Sequence, residues 1–414
     1  LSISTAKILE IGDWLLEEAL SDQSIEATLE ALVLRLRKVG LPVDRCRLSW
    51  PTLHPLFEAE TVLWNAEDGI SSMRFDHQDR DSDDWRQSPV KWMLDHDTTF
   101  LRAPLERHHG PQRFPLFEQL RGEGYRDLIA LRTPMFSDVS LLRRPEQDFG
   151  LYVTWATKAP GGFHDTVVDT LRSLQRYMAL LCKLMIYPRL ISNVAETYLG
   201  PTIAREVLGG RIRLGSGSHV RALVWYSDLR DSTRLAEELE EERYLTLLND
   251  YFDCTGRAVV EAGGEILAFI GDAVMAIFPM AASSDAAAEG VVARRAVAAA
   301  RAAIDCGDAV NLRRSLNGDP GIEFGIGMCV GEVRLGNIGI PQRLSFSVVG
   351  PSANEVERIE RMTKELGVPV LATQEVIAHA AGDWTRLGSY PLRGMREPVA
   401  LYGLTGMERA ATAA

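Results

Sequence analysis

The sequence predicts an α+β fold in two modules joined by a helical connector, and three features carry that reading. At 414 residues the chain is too long for one ordinary core. Stretches with helical and strand-like apolar spacing alternate from end to end without an internal repeat. A mainly helical run then separates an early sheet from a late one. The expected boundaries are residues 1–180 for the first module, 181–215 for the connector and 216–414 for the second module.

Asp13 to Val39 places Leu15, Leu16, Leu20, Ile25, Leu29, Leu32 and Leu36 at helical spacing, which predicts an amphipathic helix. Arg45 to Trp50, Leu128 to Met135 and Leu151 to Thr157 read as strands. Gly161-Gly162 breaks the chain before a helix over Phe163 to Leu184, with Asp165 as its N-cap. The text Trp155-Ala156-Thr157-Lys158-Ala159-Pro160-Gly161-Gly162-Phe163 resembles the last strand and closing helix of GAF domains over about fifty residues. That resemblance implies a regulatory, GAF-like module bound by an unknown small-molecule or protein signal.

Leu181 to Leu208 reads as helix, restarted at Gly200-Pro201 and stopped at Gly209-Gly210. Leu184, Ile191, Val194 and Tyr198 keep a roughly seven-residue apolar stripe. It fits either a helix packed on its own module or a parallel dimer stalk, and two or three heptads leave both open. Beyond it come a strand over Val220 to Ser227 and a helix over Thr233 to Val260, broken at most once. Two strands over Gly264 to Phe278 follow, then a helix over Ala286 to Ile304 capped by Asp285. Strands over Ile322 to Val330 and Phe346 to Val349 precede a helix over Ala353 to Leu366 that ends at Gly367. Pro369 to Ala372 and Val399 to Leu404 finish the sheet.

A net charge of −12 argues against a broad nucleic-acid surface. The most apolar segment, Tyr177 to Ile191, is interrupted by Lys183, Pro188 and Arg189, so no membrane insertion is expected. No signal peptide is visible, although the chain begins at Leu1 rather than Met. Five scattered cysteines without metal-type spacing read as reduced thiols of a cytoplasmic protein. His54, His77, His96, His108 and His109, with Asp76, Asp95 and Asp97, lack ligand spacing and read as loop residues. Trp64, Trp85 and Trp92 read as packing.

The chemistry concentrates in the second module. Asp228 closes the apolar run from Ala222, and Asp272 follows Gly271 between two short apolar stretches. Two carboxylates at neighbouring strand ends can hold two divalent cations about 3.5–4 Å apart, an arrangement suited to phosphoryl chemistry. Magnesium fits, because it takes oxygen ligands and completes its shell with water and phosphate.

The segment Trp225-Tyr226-Ser227-Asp228-Leu229-Arg230-Asp231-Ser232-Thr233 resembles the first metal motif of class III nucleotidyl cyclases. Phe269-Ile270-Gly271-Asp272-Ala273-Val274-Met275-Ala276-Ile277-Phe278 resembles the second. Phe346 to Arg358 resembles the segment bearing the family's transition-state Asn and Arg. The likeness runs from about His219 to Leu404 and implies a ferredoxin-like, palm-type catalytic domain. It further implies conversion of ATP, or GTP, to a 3′,5′-cyclic monophosphate and pyrophosphate.

In that reading Asp228 and Asp272, with Leu229, hold two Mg²⁺ or Mn²⁺ ions, while Asn354 orients the ribose and Arg358 offsets charge at phosphorus. Asn354 and Arg358, four apart, share a helix face. Free amides from Leu229 through Arg230, Asp231 and Ser232 to Thr233 are expected to receive phosphate oxygens. Arg393 is the first choice for the triphosphate, ahead of Arg396 and Arg343. Two base-selecting positions depart from the family pattern. Ala268 stands where adenylate cyclases often carry lysine and guanylate cyclases glutamate, and Ser347 where adenylate cyclases carry Asp or Thr. ATP is favoured because the guanine-reading glutamate is absent. GTP, promiscuity or a decayed dimerisation module are the alternatives. Family sites form between two catalytic domains, so one copy per chain implies a homodimer.

Overall fold

The structure, a computed structural model, describes residues 5–106, 114–135, 150–215, 217–280, 286–380 and 382–406. His108, His109 and Asp285 lie outside the described residues. The chain divides into two compact units, Leu1–Thr197 and Tyr198–Ala414.

Unit 1 opens with α1 (Thr5–Glu18) and α2 (Ile25–Lys38), where one helix was expected. Ser24 makes the difference, because its side chain caps α2 by accepting from the Ala27 amide. Then come β1 (Arg45–Pro51), β2 (Phe57–Asn65), β3 (Gly69–Asp76), a short 3₁₀ turn, α3 (Asp83–Arg86), α4 (Pro89–Asp95) and β4 (Phe100–Pro104). The unit closes with α5 (Pro115–Gly122), β5 (Asp127–Pro134), β6 (Gly150–Thr157) and α6 (Asp165–Leu199). The six strands form an antiparallel sheet in the order β3-β2-β1-β6-β5-β4. Helices α1, α2 and α6 bury one face around Leu32, Leu36, Trp50 and Trp155. A smaller cluster around Met93, Leu120 and Leu128 covers part of the other face.

Helix α6 runs unbroken through Lys183, Pro188 and Arg189 to Leu199, joining the helix expected over Phe163 to Leu184 to the helical run expected from Leu181. By length and composition it could cross a membrane. Its buried side chains, from Val167 to Leu190, instead belong to the unit 1 core. Asp165 is its first residue rather than a cap, and its carboxylate accepts from Arg102 at 2.9 Å.

In unit 2, α7 (Pro201–Leu208) restarts after Gly200 and stops at Gly209. There follow β7 (Gly217–Leu229), α8 (Ser232–Glu238), α9 (Glu241–Glu261), β8 (Glu265–Ile270), β9 (Ala273–Met280) and α10 (Ala286–Leu316). The unit ends with β10 (Phe324–Ile340), β11 (Arg343–Val349), α11 (Pro351–Leu366), β12 (Val370–Thr373), α12 (Gln374–His379), β13 (Trp384–Tyr390) and β14 (Val399–Leu404). The sheet order is β13-β14-β12-β10-β7-β9-β8, with β11 folded back on the far end of β10.

Alternation along β7 sends Leu223 and Trp225 to the α9 and α10 layer, and Val224 and Tyr226 to the α11 layer. Burial of each such apolar side chain contributes about 1.5–3 kcal/mol. Helix α11 seats closely because β10 offers glycines beneath it. A Cβ on Gly327 would lie 2.7 Å from the Val356 oxygen and the Glu360 nitrogen.

The expectation of five unpaired thiols fails for one pair: Cys254 on α9 and Cys306 on α10 form a disulfide. Cys46, Cys182 and Cys329 are free and buried. His77 is fixed by Glu58 and the His54 carbonyl, and His96 caps on Trp92. Among the described residues no group of three or more His, Cys, Asp or Glu could by itself hold a metal.

Candidate active site

Strand register brings the two acids together. Asp228, the penultimate residue of β7, pairs with Ala273, which places Asp272 in the adjoining β8–β9 turn. Gly271 makes that turn at φ 64, a left-handed conformation favouring glycine. The Leu229 amide points to the Asp272 carbonyl at 3.4 Å, tying the two strand ends. Asp228 Oδ1 is shielded from solvent and has no hydrogen-bond partner. Burial, then the Asp272 charge, raises the Asp228 carboxyl to about 6. A buried oxygen without a donor beside a second carboxylate is a site a divalent cation satisfies, and water and phosphate supply the rest of its shell.

This shift fixes a pH response. The folded protein holds a proton on Asp228 that the unfolded chain releases near its ordinary 3.8, so this group's contribution falls as pH rises from about 4 to 6 and is flat above. Asp228→Asn, compared with wild type in chelator, is expected to gain relative thermal stability across that window. A difference independent of pH, followed from pH 4 to 7 by thermal unfolding, would refute the assignment. Added magnesium should reverse the advantage near neutrality.

The turn after β7 departs from the expected row of free amides. Leu229 donates to Asp272, and Arg230 donates to the Glu323 carbonyl at 2.7 Å, so neither amide is free. Among the described residues the unpaired amides begin at Asp231 and continue into the first turn of α8 with Ser232 and Thr233. Asp231, at φ 55, sends its side chain to Lys364 on α11 at 2.9 Å. The Arg230 guanidinium turns the same way, reaching Thr363 Oγ1 at 3.3 Å.

Glu360 is the site residue that sequence reasoning missed. It is buried on α11, and burial followed by the Asp228 charge raises its carboxyl to about 7. A Cβ on Gly325 of β10 would lie 2.3 Å from its Oε1. The glycine of Phe324-Gly325-Ile326-Gly327 was the available signal, because only a missing side chain lets that carboxyl in.

Asn354 is exposed and Arg358 half-exposed on α11. Neither makes a hydrogen bond or ion pair among the described residues, and neither is among the charges acting on Asp228. Among the described residues no hydrogen bond or ion pair joins this pair to Asp228 or Asp272 within one chain. Arg358 lies against the Leu392–Pro398 loop, where a Cβ on Gly394 would stand 3.4 Å from its Nη2. Arg393 and Arg396 are exposed in that loop, anchored by buried Leu392. Arg343 is exposed at the start of β11, across from Ile340 at the opposite end of β10 from Gly325, the partner of Asp228. Ala268 faces Met275 beside an irregularity in β8, and Ser347 pairs with Gly336; their strands approach each other.

Residues 216–406 match the family model of the adenylate and guanylate cyclase catalytic domain. Over 170 residues the chain is 34% identical to an adenylate cyclase of Anabaena cylindrica, covering 40% of this chain and 32% of that protein. Over 216 residues it is 30% identical to an uncharacterized protein of Mycobacterium tuberculosis, covering 51% and 38% respectively. The chain thus spans about a third of the length of these relatives. Among solved structures, the adenylyl cyclase CyaB of P. aeruginosa is 23% identical, with a TM-score of 0.40 over 47% of this chain and 98% of that one. Residues 216–406 belong to the class III nucleotidyl cyclases, a family of phosphorus–oxygen lyases.

Proposed function

We propose that the chain is an adenylate cyclase, converting ATP to 3′,5′-cyclic AMP and pyrophosphate at sites shared by two copies. The observation that carries this is the Asp228–Asp272 pair, with its partnerless buried oxygen at adjoining strand ends. Two Mg²⁺ or Mn²⁺ ions held there, with Leu229 alongside, would supply activation of the 3′-oxygen and charge neutralisation at the phosphates. The first-turn amides of Ser232 and Thr233 donate to phosphate oxygens, and Asp231 fixes that turn through Lys364. Asn354 orients the ribose of the opposite site, and Arg358, with Arg393 or Arg396 in the adjacent loop, faces the triphosphate charge.

Exposed apolar side chains support the homodimer. Phe269, Ile270, Ile338, Ile340 and Val349 are exposed around β8 and the β10–β11 hairpin. On α6, Leu180, Leu184, Ile191, Val194 and Tyr198 stay exposed at steps of four, seven, three and four residues, which fit the seam of a two-helix coil. Unit 1 is then a regulatory, GAF-like module and the end of α6 a dimer stalk in a cytoplasmic protein.

Ala268 favours a second reading, a promiscuous cyclase that also takes GTP, because its methyl group reads no base edge. Assays with ATP and GTP, each with magnesium and manganese, decide between them; no cyclic product from either nucleotide would overturn the proposal. Ala268→Lys is expected to raise the ATP-to-GTP ratio of kcat/KM about tenfold. An unchanged ratio would remove position 268 from the base pocket.

A further inference from the structure

Strand β1 places two cations on one side of the unit 1 sheet without an ion-pair partner among the described residues. Cys46, Leu48 and Trp50 enter the core beneath α1, α2 and α6, so the alternating residues Arg45 and Arg47 face the opposite side. Thr154 of β6 lies directly across from Arg47, and Ala156 across from Arg45. Both arginines are half-buried. Arg45 Nη1, Arg47 Nε and Thr154 Oγ1 are each shielded from solvent and lack a hydrogen-bond partner. Neither arginine forms an ion pair among the described residues.

An arginine that merely covers apolar surface with its stem keeps its guanidinium in water. Here each guanidinium retains an N–H that water does not reach. Arg47 also lies over the Phe75 ring at 5.5 Å, which holds its plane. Burial followed by the neighbouring Arg45 charge lowers Arg47 to about 10, and burial lowers Arg45 as well. Tyr125, Cys46 and Glu123 are the groups acting on Arg45; the phenol and the thiol are neutral at neutral pH, and the Glu123 carboxylate does not pair with it among the described residues. Both side chains remain charged at neutral pH, and paired guanidiniums match the oxygens of carboxylate or phosphate.

We propose that Arg45, Arg47 and the Thr154 hydroxyl form a binding site in unit 1 for a small organic anion carrying a carboxylate or phosphate group. The site stands apart from the cyclase reading; only a regulatory role for its ligand rests on it.

The test uses the full chain without divalent metal, probed with inorganic phosphate and with succinate at ionic strength matched by chloride. Hydrogen exchange of peptides spanning β1 and β6 should slow with at least one probe, and unfolding of unit 1 should shift upward. Phosphate alone acting identifies a phosphorylated ligand, and succinate alone a carboxylate. Arg45→Met/Arg47→Met should bind about tenfold more weakly or worse and unfold at a higher temperature without anion. Thr154→Val is the gentler variant, should the double one fail to fold, and must also weaken binding. Equal responses in wild type and Thr154→Val, or protection confined to residues 216–406, would overturn the site. These readouts do not involve cyclic nucleotide formation, so the cyclase assays can fail or succeed independently.

Discussion

Asp272→Ala is expected to lower cyclic nucleotide formation about a thousandfold while leaving the protein folded and dimeric. The magnitude is that of losing a preorganised electrostatic element at a phosphoryl centre. Folding should survive, because the structural contribution of this residue is its carbonyl, which accepts from Leu229, and alanine keeps it. Gly271 continues to make the turn. The substitution also removes a charge that raises the Asp228 carboxyl, so the metal-free variant should be no less stable than wild type near neutrality. Turnover with ATP or GTP and dimer mass by light scattering are measured on the same sample. More than a tenth of wild-type turnover in a folded dimer would refute the metal assignment.

The acid pair is legible because both residues sit at the ends of strands with unambiguous apolar runs. Val399 to Leu404 was readable for the same reason and is β14 residue for residue. What escaped has physical causes. Strand β13 alternates weakly, with exposed Thr385, Arg386 and Ser389 and an irregularity before Gly388, so it carries almost no periodic signal. Strands β2 and β3 lie toward one edge of their sheet, where partial exposure admits Glu60, Ser71, Ser72 and Arg74 among the apolar residues. The break between α1 and α2 depends on one cap, Ser24, inside a continuous helical stripe. The bond between Cys254 and Cys306 joins residues 52 apart, visible only once α9 and α10 lie side by side. Glu360 stands in sequence among Glu355, Glu357, Arg358 and Arg361, with nothing to single it out, and the glycines of β10 explain how it comes to be buried. In the turn after β7, a motif could indicate phosphate chemistry but not which amides the strand ends had already used. Registers and caps are tertiary facts; apolar runs are local ones.

That no hydrogen bond or ion pair joins the acid pair to Asn354 and Arg358 within one chain, among the described residues, leads to the second large effect. Arg358→Ala should be as severely impaired as Asp272→Ala, because its guanidinium would face the phosphates. It has no ion pair among the described residues, so its loss removes little from the fold. If each site draws acids from one copy and the amide and guanidinium from the other, the two inactive proteins complement each other. Random reassortment of equal amounts makes about half the dimers mixed, and each mixed dimer carries one site with both lesions and one with neither. About a quarter of wild-type activity should therefore return on co-expression or after dissociation and remixing. A site built within one chain predicts the opposite, since every site would then carry one lesion in any mixture. Activity that stays at the level of the separate variants, in samples where mass analysis shows mixed dimers, would place all four residues in the same copy. Alanine at both positions in one chain, mixed with wild type, supplies the control: mixed dimers then keep one intact acid pair and one intact Asn354–Arg358 face, on the same copy. Every site in such a dimer lacks one half, so activity should fall in proportion to the wild-type copies diverted into mixed dimers.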